Sequence, residues 1–480
     1  MGSRQEPSTD REREIERERS RDRERERERE NPTNQQVFAM AEQQRQQQQR
    51  QQQQQQKGTA ALASAGTNDG RDTTIHHIKL RGHKSSVLCL AHSSNNVDNT
   101  PGGHASLLSG SEDKTARLWD LRAGAACRAG TCIIAPGEVT SVAFYPNQNG
   151  PKGKSPSSVV TAPFGKNHTV YLGVGNRVLG YDLRKATSPI IKEISNDLTD
   201  ILNVTEEVNQ ISFSLSSRGA TMIAVADDGG NVRCTEPSHR QRKQRVLQHD
   251  TDGLAMVTSC SFRPRGGNQV AVGGTDCTVS LWDPSKPKRP LASYLMPRDD
   301  TGAQICNPPM VHTVGWSPSG RLLATGLGDG TIGVLKVQSD ASMSLVTRLR
   351  DGHDASVASV IFPSFGQLNT QHVAAKDRLL ASAGTDGAIF LWDLGASVCG
   401  RGAVNPSTIL AGTDSLEDTV DRMSIKDGDD DDGPRLLFGI PHRQKPNWMV
   451  SSRGADSAFA SALFVADTTN DITAYSIPLL

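Results

Sequence analysis

The sequence predicts an all-β fold, with four-stranded units repeated around a closed ring behind a disordered N-terminal segment. Three observations carry this reading. The 480-residue chain changes character near residue 73. Beyond that point, short Val/Ile/Leu-rich runs alternate with Gly, Asp, Ser and Asn, and no 3.6-residue period is sustained, which is the pattern of strands in tight hairpins. One unit then recurs at a spacing of roughly 40–45 residues, the period of a blade-like repeat.

Residues 11–30 are nearly a strict Arg/Glu alternation, and residues 44–56 are almost all glutamine. Neither tract has an apolar face to bury, so neither can offset the entropy of ordering its backbone. A helix over the Arg/Glu run would place like charges at i and i+4, which works against it. Residues 1–72 therefore read as a disordered tail. Its mixed-charge and glutamine tracts fit either a contact region for RNA or other such tracts, or a plain solvated extension.

The 53 basic and 53 acidic residues cancel. No field of the whole molecule would draw it to nucleic acid or an anionic membrane, and neither partner is expected. No window approaches the ~18 consecutive apolar residues of a membrane helix. Eight cysteines without C-x-x-C spacing suit reduced thiols in the cytoplasm and/or nucleus.

The fullest unit runs from Gly82-His83 through Val87–Leu90 and Leu107–Thr115 to Ala116-Arg117-Leu118-Trp119-Asp120. Gly352-His353 through Thr385-Asp386-Gly387 to Leu391-Trp392-Asp393 repeats it, and Val270 through Asp276 to Leu281-Trp282-Asp283 gives a third copy. In each copy the turn Asp lies six residues before the Trp. An Asp so placed can accept hydrogen bonds from the loop His and from its own backbone, while the Trp buries its ring and donates its indole N–H. His83, Asp276, Trp282, His353, Asp386 and Trp392 are thus read as blade-stabilising, as are Asp113 and Trp119.

This Gly-His to Trp-Asp signature resembles the WD-repeat family, whose repeats fold as four-stranded blades of a β-propeller. Weaker copies fill the gaps. Val139–Pro146 to Tyr181-Asp182 makes a second blade, Val208–Ile211 with Ile223–Gly229 a third, and Trp316 through Asp329 to Leu335 a fifth. Near the C-terminus, residues 447–450, 463–467 and 472–475 supply three strands that lack a fourth, and residues 74–80 form an unassigned strand at the start. Pairing them removes two open edges and closes a seven-bladed WD-repeat β-propeller over 73–480. Polar stretches at 93–103 and 147–158 read as insertions. A longer one at about 399–443, with an aspartate run at 427–432, is expected to be a mobile loop between blades six and seven.

Members of the family are non-catalytic protein-interaction scaffolds, and many serve as substrate receptors of cullin-4 RING ubiquitin ligases. The receptors carry a motif ending W-D-x-R, matched here by Asp113, Trp119, Asp120 and Arg122. The resemblance implies that these form the adaptor-binding site. Arg122 would be exposed at the blade rim and would contact the ligase adaptor, the damaged-DNA-binding protein whose propellers bridge to cullin. Because Asp113, Trp119 and Asp120 stabilise a blade in any WD repeat, Arg122 alone separates docking from architecture. Tyr181-Asp182-Leu183-Arg184 is a degraded second version, and the Trp282 and Trp392 copies lack the Arg. The alternative is a WD-repeat scaffold of an RNA-processing or chromatin-associated complex, with the tail as its contact region.

His83 and His353 read as loop tethers, and His76-His77 lacks a third ligand for zinc. Arg240, Arg242, Lys243 and Arg245 form a basic loop between blades three and four. The sequence contains no H-E-x-x-H, G-x-S-x-G or Walker loop. No catalytic residue, metal or cofactor is expected. The partners expected are proteins, namely the adaptor and an unidentified substrate, with this chain a monomer within the complex.

Overall fold

The structure is a computed structural model. It describes residues 75–93, 106–146, 169–183, 188–191, 198–214, 221–237, 244–249, 255–298, 307–364, 377–399, 433–452, 459 and 461–477. The chain divides into two units, residues 1–72 and 73–480, and the expected tail lies outside the described residues, as do 94–105, 147–168 and the aspartate run.

A leading strand, β1 (His77–Arg81), is followed by blade one: β2 (Val87–His92), β3 (Ser106–Ser111), β4 (Thr115–Asp120) and β5 (Ala129–Ile134). Blade two comprises β6 (Val139–Phe144), β7 (Thr169–Val174), β8 (Arg177–Asp182) and β10 (Leu198–Asn203). Between its last two strands, β9 (Ile190–Ile191) adds a parallel fifth strand to blade one. Blade three is β11 (Val208–Phe213), β12 (Ile223–Asp227), β13 (Asn231–Thr235) and β14 (Arg245–Gln248). Blade four is β15 (Val257–Phe262), β16 (Val270–Gly274), β17 (Thr278–Trp282) and β18 (Ala292–Leu295).

In blade five the strands are β19 (Val311–Trp316), β20 (Leu322–Leu327), β21 (Ile332–Val337) and β22 (Met343–Leu349). Blade six has β23 (Val357–Ile361), β24 (Leu379–Gly384), β25 (Ala388–Asp393) and β26 (Arg435–Pro441), with a one-turn helix, α1 (Gly395–Cys399), after β25. The stretch expected to be one loop from about 399 to 443 therefore ends in a strand. Residues 435–441 pair with β25 as the outer edge of blade six, and a bulge at Leu437 divides their apolar side chains, Leu436 packing with the cluster between blades five and six and Leu437, Phe438 and Ile440 with that between blades six and seven. Blade seven is β27 (Pro446–Ser451), β28 (Ala462–Asp467) and β29 (Asp471–Ser476), and its fourth strand is β1, paired antiparallel from His77↔Tyr475 to Arg81↔Asp471. The ring closes as the sequence predicts, with seven blades.

The core is divided in the same way. Seven clusters of buried side chains each lie between two neighbouring blades. Trp119 packs against blade seven, Trp282 against blade three and Trp392 against blade five. A blade cannot bury either of its faces alone, so its stability comes from its neighbours.

The innermost strands share one irregularity. In all seven, the register to the next strand skips the second residue: Leu88, Thr140, Asn209, Thr258, His312, Ala358 and Asn447. Such a bulge re-aims the skipped side chain. Four of these residues use it to reach the next blade. Thr140 Oγ1 donates to the Val208 carbonyl (2.6 Å), Asn209 Nδ2 to Val257 (2.9 Å), Thr258 Oγ1 to Val311 (2.5 Å) and Asn447 Nδ2 to Val87 (2.9 Å).

Blades four and five are also clamped by Arg263. Its Nε donates to the Gly320 carbonyl (2.7 Å), Nη2 to Val337 (2.9 Å) and Nη1 to Gln338 (3.2 Å), and the guanidinium lies 5.5 Å from the centre of the Trp316 ring. Arg263→Ala is expected to cost roughly 2–3 kcal/mol, and Arg263→Lys nearly as much, since an ammonium cannot fork to three carbonyls. Thermal melting checks this. A midpoint unchanged in both variants would show that the clamp contributes nothing.

Candidate functional site

Blade one contains both predicted features, at opposite ends of β4. At its start lies a polar network. His83 donates from Nδ1 to Asp113 Oδ2 (3.1 Å) and accepts the Ser109 hydroxyl at Nε2 (2.7 Å), while Ser109 Oγ accepts the Trp119 indole N–H (2.9 Å). Asp113 also takes the Lys84 N–H (2.9 Å) and the Thr115 N–H (3.0 Å) and hydroxyl (2.6 Å). Trp119 is 0% and His83 3% exposed. Burial lowers the His83 pKa against the opposing pull of Asp113, so the ring is neutral, as this chain of donors requires. Burial alone would raise the Asp113 pKa, but the Thr115 hydroxyl, the Lys84 N–H and His83 together bring it below the usual range.

Blade six repeats the network: His353 Nδ1 to Asp386 Oδ2 (3.1 Å), His353 Nε2 to Ser382 Oγ (2.8 Å) and Trp392 Nε1 to Ser382 (2.9 Å). Blade four contains a variant that sequence reasoning missed. His249 bridges Asp276 (3.2 Å) and Ser280 (2.7 Å), and Ser280 accepts from Trp282 (2.7 Å). Gln248 precedes this histidine, so a search for Gly-His passes over it. The serines were missed as well. Ser109 and Ser382 both lie ten residues before their Trp, a shared spacing that could have revealed them, whereas Ser280 lies only two before. The small Gly384 is required here, since a Cβ would stand 2.3 Å from His353 Nδ1.

Blade seven closes with different residues. His442 Nδ1 lies 2.8 Å from the Tyr475 hydroxyl and its Nε2 lies 2.9 Å from Asp467 Oδ2. These histidines and aspartates bind blade loops to strands. Among the described residues, no group of three or more His, Cys, Asp or Glu could hold a metal ion, and no helix is long and apolar enough to cross a membrane.

The far end of β4 is the rim. Asp120 caps a short 3-10 helix, Leu121–Ala126, by accepting the Arg122 N–H (3.1 Å). Its carboxylate also receives Arg122 Nε, at 2.7 and 2.9 Å from its two oxygens, and Nη2. This pairing raises the Arg122 pKa, and the side chain remains 46% exposed. The structure thus separates the four motif residues. Asp113 is a six-residue strand away, about 20 Å at strand rise, and Trp119 is inaccessible. Only Asp120 and Arg122 can meet a partner at this rim.

The other copies differ in kind. Asp393, 0% exposed, holds Arg378 Nε at 2.5 Å and Arg435 Nε at 3.4 Å; Arg378 is buried just before β24 and Arg435, 42% exposed, opens β26, so neither arginine follows its Trp-Asp as Arg122 does. Asp283 accepts the Ser285 N–H (2.8 Å). Arg184 lies outside the described residues, as do Arg240, Arg242 and Lys243. Arg245 belongs to β14 and its Nη1 lies 3.7 Å from Met222 Sδ.

Acid should weaken the propeller. His92, 2% exposed and stacked on Phe464, has its pKa pushed down to about 4 by burial. Its folded value lies below its unfolded value of 6.5, so the unfolded chain binds a proton first, and stability falls as pH drops from 6.5 towards 4. That shift corresponds to roughly 3 kcal/mol, and His83 acts in the same sense. Asp113, Asp276 and Asp467 have lowered values and lose their contribution only below about pH 4. Melting at pH 7.5 and 4.5 should differ by several degrees, with the difference reduced in His92→Gln; equal midpoints would contradict this.

Against known proteins, the family profile described as WD domain, G-beta repeat matches residues 73–120, 241–283, 305–334 and 344–393. Three of these segments begin at or before the outer strand of one blade and end on the third strand of the next, so the sequence repeat is offset by one strand from the blade. The chain is 25% identical over 414 residues to WD repeat-containing protein 53 homolog of Dictyostelium discoideum, covering 83% of this chain and 94% of that protein. It is 30% identical over 129 residues to WD repeat-containing protein VIP3 of Arabidopsis thaliana, covering 25% and 39%. To a guanine nucleotide-binding protein subunit beta of Oryza sativa subsp. japonica it is 25% identical over 139 residues, 29% and 32% of the two chains. With repeats, networks and closure in agreement, this chain contains WD repeats and folds as a seven-bladed β-propeller similar to those of WD-repeat proteins.

Proposed function

We propose that this scaffold is the substrate receptor of a cullin-4 RING ubiquitin ligase, docking on the ligase adaptor through Arg122 and working in the cytoplasm or nucleus. WD propellers bind proteins through their surfaces, and the observation that carries the finer reading is the exposed Arg122 guanidinium held in a fixed orientation by Asp120. A planar, permanently charged fork suits carboxylates and carbonyls of a partner, and holding it in place beforehand lowers the entropy lost on docking. Asp120 then orients the fork, and Trp119 and Asp113 support the strand beneath it.

Affinity purification of the intact protein beside Arg122→Ala and Arg122→Lys tests this. The wild type should recover the adaptor, and both variants should lose it by about tenfold or more while melting as the wild type does. Recovery that is absent with wild type, or equal with Arg122→Ala, overturns the reading. A chain beginning at residue 73 separates the alternative scaffold, because a receptor keeps its partner without the tail and a tail-driven scaffold loses it.

A further inference from the structure

On the face opposite Arg122, the residue just before each innermost strand stands at the mouth of the central ring. In most blades its backbone is pinned by the neighbouring hairpin turn. The Ser86 carbonyl accepts the Glu112 N–H (3.1 Å), Glu207 that of Asp228 (3.1 Å), Met256 that of Thr275 (3.0 Å), Met310 that of Gly328 (2.8 Å) and Lys445 that of Thr468 (3.2 Å). Read around the ring, blades one to seven place Ser86, Glu138, Glu207, Met256, Met310, Ser356 and Lys445 at this position. The bulge hydrogen bonds from Thr140 to Val208, from Asn209 to Val257 and from Thr258 to Val311 hold the four central members side by side.

The mouth is therefore divided. Blades two and three present exposed Glu138 and Glu207, with exposed Glu206 adjoining, and no ion pair to any of the three is found among the described residues. Next to them, Met256 is 49% exposed on a pinned backbone and Met310 half-buried. Lys445 stands on the other side, near enough that its charge, after burial, helps to lower the His312 pKa.

We propose that this sector binds an extended peptide segment of a partner protein carrying a Lys or Arg beside a large apolar side chain. The carboxylates of Glu138 and Glu207 take the cation, and the methionines, flexible and polarisable, take the apolar group. Lys445 repels a second cation and so sets the direction in which the segment lies. This goes beyond the ligase reading and needs no adaptor.

The test is selection from a random library of peptides about ten residues long, displayed against the full chain, the triple variant Glu138→Gln/Glu207→Gln/Met256→Ser, and Arg122→Ala. On wild type, peptides pairing a basic with a large apolar residue should be enriched at least about fivefold over the input, with enrichment falling as salt rises. The triple variant, whose changes are on the surface and whose melting should match wild type, should lose that enrichment, and Arg122→Ala should keep it. Enrichment of other peptides, no enrichment, or enrichment equal on the triple variant overturns the proposal. Loss with Arg122→Ala but not with the triple variant would assign peptide binding to the rim instead.

Discussion

A chain beginning at Gly82 will melt well below one that begins at residue 73, and will aggregate where the longer chain stays monomeric. The nine residues removed include β1, whose pairing with β29 runs from His77↔Tyr475 to Arg81↔Asp471. Their loss strips Leu80, 1% exposed, from the cluster between blades seven and one, and leaves β29 as an open edge. Losing one buried leucine and a ladder of hydrogen bonds costs on the order of 5 kcal/mol, comparable to the whole stability of many domains. For a unit of this size that lowers the midpoint by roughly 6 °C or more. Two chains that melt together and remain monomeric would mean that the other three strands of blade seven close the ring unaided.

Trp119→Ala should come next in effect. The ring is wholly buried against blade seven beside Leu80, Leu107 and Phe464, and truncating a buried aromatic costs roughly 3–5 kcal/mol. It also removes the donor to Ser109 Oγ, leaving the hydroxyl that bonds His83 short of one partner. Trp119→Phe keeps most of the volume and loses the N–H, so it should cost roughly 1–2 kcal/mol. Denaturant unfolding of the two variants separates packing from the polar network. If the Phe variant is as unstable as the Ala variant, the hydrogen bond outweighs the cavity. If neither moves the midpoint, the blade does not depend on this residue. The rim is a further readout, since Asp120 and Arg122 directly follow Trp119 and a loosened strand should weaken any docking there.

How much of this was legible varies by element. Strong copies announce themselves because a buried Trp at the end of the third strand and an Asp in the turn before it are needed wherever a blade has this network, and their spacing is set by strand length. β26 was harder. β26 follows a long polar stretch, and its Arg435-Leu436-Leu437-Phe438-Gly439-Ile440-Pro441 reads as the end of an insertion until β25 offers it an edge. His249 was hidden by the absence of its glycine, although its side chain makes the same bridge as His83. The W-D-x-R motif was visible as a string, but as a string it joins Asp113 to Arg122 in one site.

What the sequence determined by itself is therefore the repeat: strand length, turn position, the Trp and Asp of each strong blade, the closing partnership of the two ends, and hence seven blades. These are local, because hydrophobic alternation and turn chemistry act within a few residues along the chain. Only the tertiary structure decided which residues share a surface. A strand carries consecutive residues from one face of the propeller to the other, so Asp113 and Arg122 part company. Glu138, Glu207, Met256 and Met310, 172 positions apart from first to last, meet at the ring mouth because neighbouring blades repeat one register around a common axis.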